Sequence, residues 1–175
     1  MPDRLGLSLP ANFASTIPFL CAIFGTIIAN FPISLLGSFF PPPLLAFMPI
    51  YFWCLVRPDL MPAPAVFLVG ALEDLLSGGP MGIWAAAFVI SYLLVERERD
   101  TFAGLSGYGA ILGFGGVMML TGASAYLIAA FSYGHFLPLM PIVLQIVATV
   151  IVYIPGLWLL NLVHHRLVGA LRSDF

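Results

Sequence analysis

Three stretches of this chain carry no charged side chain: residues 5–56, 75–95 and 101–134. Each is at least as long as the ~20 residues with which a helix crosses the hydrocarbon core of a bilayer. In lipid a backbone must satisfy its own polar groups, and only helices and closed barrels do so. A barrel needs short segments that alternate polar and apolar positions. Here the apolar residues run in continuous blocks, so an all-α polytopic membrane protein is expected. Composition leads the same way: of 175 residues 61% are hydrophobic and 8% charged, with a mean hydropathy of +1.07. A soluble domain of that size cannot enclose so much apolar surface.

Proline, glycine and charge divide the chain into six expected spans, at about 13–36, 41–56, 62–76, 80–95, 103–131 and 138–163. Three prolines (Pro41 to Pro43) separate the first two, Arg57 to Pro62 the next two, and Glu96 to Asp100 forms the one plainly aqueous loop. Tyr51 and Trp53 are expected at interface depth near the end of the second span. Numbering the helix ends alternately puts all six arginines on one side: Arg4, Arg57, Arg97, Arg99, Arg166 and Arg172. The chain has no lysine. The positive-inside rule then places both termini in the cytoplasm, and a five-span arrangement would break the sorting. The long apolar run behind Arg4 does not read as a cleavable signal, so the first helix is expected to be retained. Residues 1–175 thus form a single integral membrane domain, surrounded by membrane lipid.

Catalytic patterns are missing: there is no G-x-S-x-G, no H-E-x-x-H, no phosphate loop and no nucleophile–base pair. No basic patch addresses nucleic acid. Cys21 and Cys54 fall inside spans and read as small apolar residues. His164 and His165, beside Arg166, lack further metal ligands and read as cations at a helix C-terminus facing lipid headgroups. No enzyme, cofactor or metal is expected.

The informative stretch is the hinge between the third and fourth spans, VFLVGALEDLLSGGPMGIWAAA, residues 66–87. Glu73 and Asp74 are the only carboxylates away from the arginine side. A charge at the bilayer centre costs about 2.5–3.5 kcal/mol on the insertion scale, so something must hold them there. Consecutive helix positions lie ~100° apart, so one carboxylate is expected to face protein and the other water or a neighbour. Asp74 can turn back onto the amides of residues 77–79 and lock a hairpin, since helix termini offer unbonded N–H groups. Partner contact and ion or proton transport are the other readings of the pair. Gly70 lies one turn before Asp74; Gly78 and Gly82 flank Pro80 with the G-x-x-x-G spacing. Around a prolyl turn that spacing favours tight backbone geometry over dimerisation.

The stretch FLVGALEDLLSGGPMGIWA resembles the signature of the MreD family of rod shape-determining proteins, with Gly70, Asp74, Leu75, Gly78 and Gly82 at the matching places. The preceding PPLLAFMPIYFWCLVRPDLMP is similar to the family as well, and the resemblance covers about 41–95. Glu73 lies outside the signature. The resemblance implies a non-enzymatic member of the cell-elongation machinery in the bacterial cytoplasmic (inner) membrane. Its implied partners are the bitopic protein MreC, the actin-like MreB filament, RodA and a class B penicillin-binding protein, in support of cell shape and lateral peptidoglycan synthesis. Six short-looped helices in 175 residues also resemble the substrate-binding components of energy-coupling-factor transporters, which share a related helical layout. Membership of that vitamin-binding class is the alternative function, and it requires a polar pocket open to the outside. On either reading the residues of interest are Gly70, Glu73, Asp74, Gly78, Pro80 and Gly82.

Overall fold

The computed structural model describes residues 16–31, 41–105 and 108–168. Among them the regular elements are helices: α1 (Ile17–Asn30), α2 (Phe47–Val56), α3 (Ala63–Ser77), α4 (Ile83–Arg97), α5 (Arg99–Ala103), α6 (Tyr108–Tyr133) and α7 (Met140–Val163). A 3₁₀ turn over Pro58–Leu60 follows α2, and a π turn over His164–Val168 prolongs α7. Proline begins several of them: Pro18, Pro64 and Pro141 each occupy the first turn of their helix, where the missing N–H has no helical partner to lose. Pro49 likewise stands in the first turn of α2 and needs no kink.

The helices depart from the expected spans at several ends. The second begins at Phe47 rather than 41. The fourth begins at Ile83, past Pro80, because Gly82 has φ 103°, which no helix accommodates. Residues 96–100 are not an open loop: Glu96 and Arg97 finish α4, and Arg99 starts α5. The edges of the first expected span, 13–15 and 32–36, lie outside the described residues. By length and composition, Tyr108–Tyr133 and Met140–Arg166 are long and apolar enough to cross a membrane. The helices α1 to α4 have 14, 10, 15 and 15 residues, so α2 rises only about 15 Å.

Neighbouring helices pair in a row, α1 on α3, α3 on α4, α4 on α6 and α6 on α7, with α2 packed against α1, α4, α5 and α7. Every residue from Phe47 to Cys54 is buried. A short helix that is apolar all round can be stable only in such a setting. Tyr51 and Trp53, expected as interfacial rings, are instead core residues at 2% and 0% exposure. Tyr51 meets Phe114 and Tyr153 edge-on at 5.2 and 6.1 Å, and Phe114 stacks on Tyr153 at 3.8 Å. α2 is therefore the hub of the aromatic core. Gly25 admits the chain entering α2, where a Cβ would meet the Leu45 carbonyl oxygen at 2.9 Å.

The polarity of the bundle runs inward. Thr26, Glu73, Asp74, Ser91, Thr121 and Thr149 are buried, whereas Phe24, Leu112, Leu127, Ile151 and Trp158 are exposed. The buried hydroxyls have partners. Thr121 donates to Ser91 across α6 and α4 at 2.8 Å, and Thr149 accepts from the Leu44 amide at 2.9 Å. Gln145 reaches the Pro42 carbonyl at 3.0 Å. Arg99 donates to the Leu55 carbonyl at 3.0 Å, and Phe52 lies 6.0 Å from His164, so Arg57, Arg99 and His164 share one end of the bundle. The opposite end carries the α3–α4 turn.

Candidate functional site

The site is the hairpin formed by α3, the turn over 78–82 and α4. α3 ends at Ser77 because Gly78 adopts the left-handed conformation, φ 71°. The Ser77 hydroxyl closes that last turn by donating to the Asp74 carbonyl at 3.3 Å. Gly82 takes φ 103° and immediately precedes α4. Both glycines of the G-x-x-x-G therefore serve backbone conformations that L side chains rarely adopt. Nothing lies within 4 Å of where a Cβ would stand at either one, so neither lets another helix approach. Pro80 stands between them in the turn.

A helix that begins at Ile83 presents unbonded amides in its first turn. Its own N-cap, Gly82, has no side chain to meet them. Asp74 does so from across the hairpin: Oδ2 accepts from the amides of Gly82 at 2.8 Å and Ala85 at 3.2 Å, and Oδ1 accepts from Trp84 at 2.8 Å. These are charge-assisted bonds at the positive end of a helix dipole. The acceptor is at 1% exposure, and its charge is distributed over three donors. The sequence-based expectation placed Asp74 on the amides of residues 77–79. The amides it meets are those of Gly82, Trp84 and Ala85 at the start of the next helix, because α3 ends at Ser77 and the turn over 78–82 carries the chain on to α4.

Gly70 explains how α4 comes within reach. A Cβ there would meet the Ala85 Cα at 2.5 Å, the Ala85 nitrogen at 2.8 Å and the Trp84 carbonyl oxygen at 2.9 Å. The backbones of α3 and α4 touch one helical turn before the carboxylate, opposite the same residues that Asp74 caps. Gly70, Asp74, Gly78 and Gly82 thus form one device with a single geometric requirement.

Glu73 points the other way. It too is buried, at 2% exposure, so the expectation that one carboxylate would face water or a neighbour does not describe this fold. Its Oε1 accepts from the Asn30 side-chain amide at 2.9 Å, tying the end of α1 to α3; Asn30 also donates to the Thr26 carbonyl at 3.0 Å. Oε2 is buried with no hydrogen-bond partner among the described residues. The angular offset of consecutive residues sends the two carboxylates to two different helices. Asn30 is the residue that sequence reasoning missed. Its signal was only that of a lone amide within the uncharged run 5–56.

Among the described residues no group of three or more His, Cys, Asp or Glu side chains gathers as a metal site would require. Asp74 is buried against backbone; what the arrangement does is fix two helices against each other. Comparison with family models, with curated proteins and with solved structures finds no match, so the resemblance to the MreD family rests on the residues of 41–95 themselves.

Proposed function

We propose that this chain is a non-enzymatic membrane scaffold of the MreD type, which holds an MreC-like bitopic protein and, through it, the MreB filament, RodA and a class B penicillin-binding protein. One observation carries the reading. Of the five residues that match the family signature, Gly70, Asp74, Gly78 and Gly82 join α3 to α4 and act on backbone, while Leu75 is exposed. Residues of this kind build shape and carry out no chemistry, which supports a scaffold role. In this reading six helices cross the cytoplasmic membrane with both termini inside. The layout resembles that of the vitamin-binding transporter components but is used for protein contact. Support for the topology comes from the gathering of Arg57, Arg99 and His164 at one end and of Asn30, Glu73 and Asp74 at the other. The apolar exterior supports lipid as the surrounding solvent.

The test is affinity purification from membranes of a rod-shaped host, together with depletion. Recovery of a single-span protein with an external coiled coil, and rounding of depleted cells, is the expected outcome. Tight, saturable capture of a vitamin by the purified chain, with rod shape retained on depletion, would establish the transporter alternative instead.

A further inference from the structure

At the arginine end a cavity of about 290 Å³ lies between α2, α5, α6 and α7. Tyr51, Phe52, Phe102 and Tyr153 supply aromatic walls, and Val56 and Leu105, exposed to 36% and 38%, form a partly open rim. No charged side chain lines it, and of the lining side chains only Tyr51 and Tyr153 carry a polar atom. Tyr51 is buried, and its hydroxyl has no hydrogen-bond partner among the described residues. A Cβ added at Gly113 would stand 3.2 Å from that hydroxyl, and 2.7 and 3.3 Å from the Cδ1 atoms of Leu105 and Phe102. The hydroxyl therefore ends among side chains that line the cavity. Leu105 is the part of its cover that can yield, since it stands beyond the end of α5 at the half-exposed rim. A donor buried without an acceptor carries a desolvation cost, which a bound acceptor removes.

We infer that the cavity binds a neutral aromatic molecule of about two fused rings whose single acceptor oxygen takes a hydrogen bond from the Tyr51 hydroxyl. The size follows from volume: an apolar cavity of about 150 Å³ takes up benzene, and this one is about twice as large. Neutrality follows from the lining, which offers no counter-charge to an ion removed from water. Water is a poor occupant, because it needs two to four polar partners and the side chains here offer tyrosine hydroxyls alone. A ring is favoured over an alkyl chain by the walls. Tyr51 already stands edge-on to Phe102 at 6.3 Å and to Tyr153 at 6.1 Å, and a flat ligand gains edge and face contacts in such a setting. The site is independent of the scaffold reading. It also lies at the end away from the α3–α4 turn, so it is not the outward-facing polar pocket of the transporter alternative.

The test titrates the full chain in detergent micelles, against empty micelles, with four probes: 2-acetylnaphthalene, 2-ethylnaphthalene of nearly the same shape without the oxygen, 2-decanone without the rings, and the anion 2-naphthoate. One 2-acetylnaphthalene per chain is expected to bind more tightly than any other probe. Tyr51→Phe should weaken it by about three- to tenfold, the worth of one hydrogen bond, leave 2-ethylnaphthalene unchanged, and keep or raise the melting temperature of the unliganded chain. Ala110→Phe fills the cavity from α6 and should abolish binding of both naphthalenes; Val56→Trp closes the rim should the first variant fail to fold. Equal affinity for the ketone and the hydrocarbon, or a ketone affinity unmoved by Tyr51→Phe, would overturn the hydroxyl contact. So would a lower melting temperature of unliganded Tyr51→Phe, which would show that the hydroxyl is already engaged. Binding of 2-decanone as tight as that of 2-acetylnaphthalene would overturn the aromatic class, and equally tight 2-naphthoate would overturn neutrality. Unaltered binding in a folded cavity-filled variant would remove the cavity from the site.

Discussion

Asp74 and Glu73 are adjacent, equally buried and chemically alike, yet their environments assign them opposite weights. Asp74 has three backbone donors on two oxygens. Glu73 has one side-chain donor on one oxygen, and the other oxygen is bare. Removing the first leaves three buried amides at a helix terminus with no acceptor. Asp74→Ala should therefore destabilise the protein by about 2–4 kcal/mol, a lost cap plus unsatisfied donors. Asp74→Asn keeps one oxygen as an acceptor and should fall between the alanine variant and the native chain. Glu73→Gln retains an acceptor for Asn30 and removes a poorly compensated charge, so it should lie within about 1 kcal/mol of the native chain. Thermal unfolding in detergent, read by circular dichroism, ranks the variants; a Glu73→Gln loss as large as that of Asp74→Ala would show that the bare oxygen has a charged partner.

At the scale of the hairpin, Gly70 and Asp74 serve one contact. A Cβ at residue 70 must push the Ala85 backbone away, and the same displacement lengthens the bonds from Trp84 and Ala85 to Asp74. The effects of Gly70→Ala and Asp74→Ala should therefore overlap. Each is costly alone, and the double variant should lose less than their sum by about 1 kcal/mol or more, as residues sharing a contact do. Strict additivity in a double-mutant cycle would separate the glycine from the cap. Gly82→Ala tests the turn on its own, since φ 103° with an alanine costs about 1–3 kcal/mol. Sequence reading found the device because carboxylate, turn glycines and a glycine one turn before the carboxylate all stand out in an apolar run. It named the wrong amides, since which N–H groups are unbonded depends on where α4 begins, and a five-residue turn puts that start beyond the nearest candidates. Asn30 escaped for a related reason: a contact across 43 positions leaves no local spacing to read.

At the scale of the whole chain, the residues around Tyr51 show what hydropathy alone cannot distinguish. An uncharged run next to an arginine looks the same whether lipid or protein surrounds it. α2 is enclosed by four other helices, which is why its rings lie in the core and not at an interface. Its ten residues rise about half the ~30 Å of a hydrocarbon core. A span of that length requires the chain leading into α2 to lie within the bundle, and the contacts of Leu44 with Thr149 and of Pro42 with Gln145 hold it there. In the proposed six-span arrangement those two bonds supply polar partners to non-helical backbone inside the bilayer, the condition under which such backbone is tolerated. The six-span arrangement then makes a definite forecast. A phosphatase fused after Phe136, between α6 and α7, should be active outside the cell, and one fused after Arg99 should be inactive, while a cytoplasmic reporter gives the reverse. Thr149→Val should leave that pattern intact and lower the melting temperature, because it removes the acceptor of the Leu44 amide but no charge that sets orientation. Were α2 instead to lie flat on the outer face, one crossing is lost and the pattern reverses: fusions after Asp59 and Arg99 would report the outside and the one after Phe136 the inside. With α2 crossing, Asp59 shares the arginine side and the fusion after it stays dark.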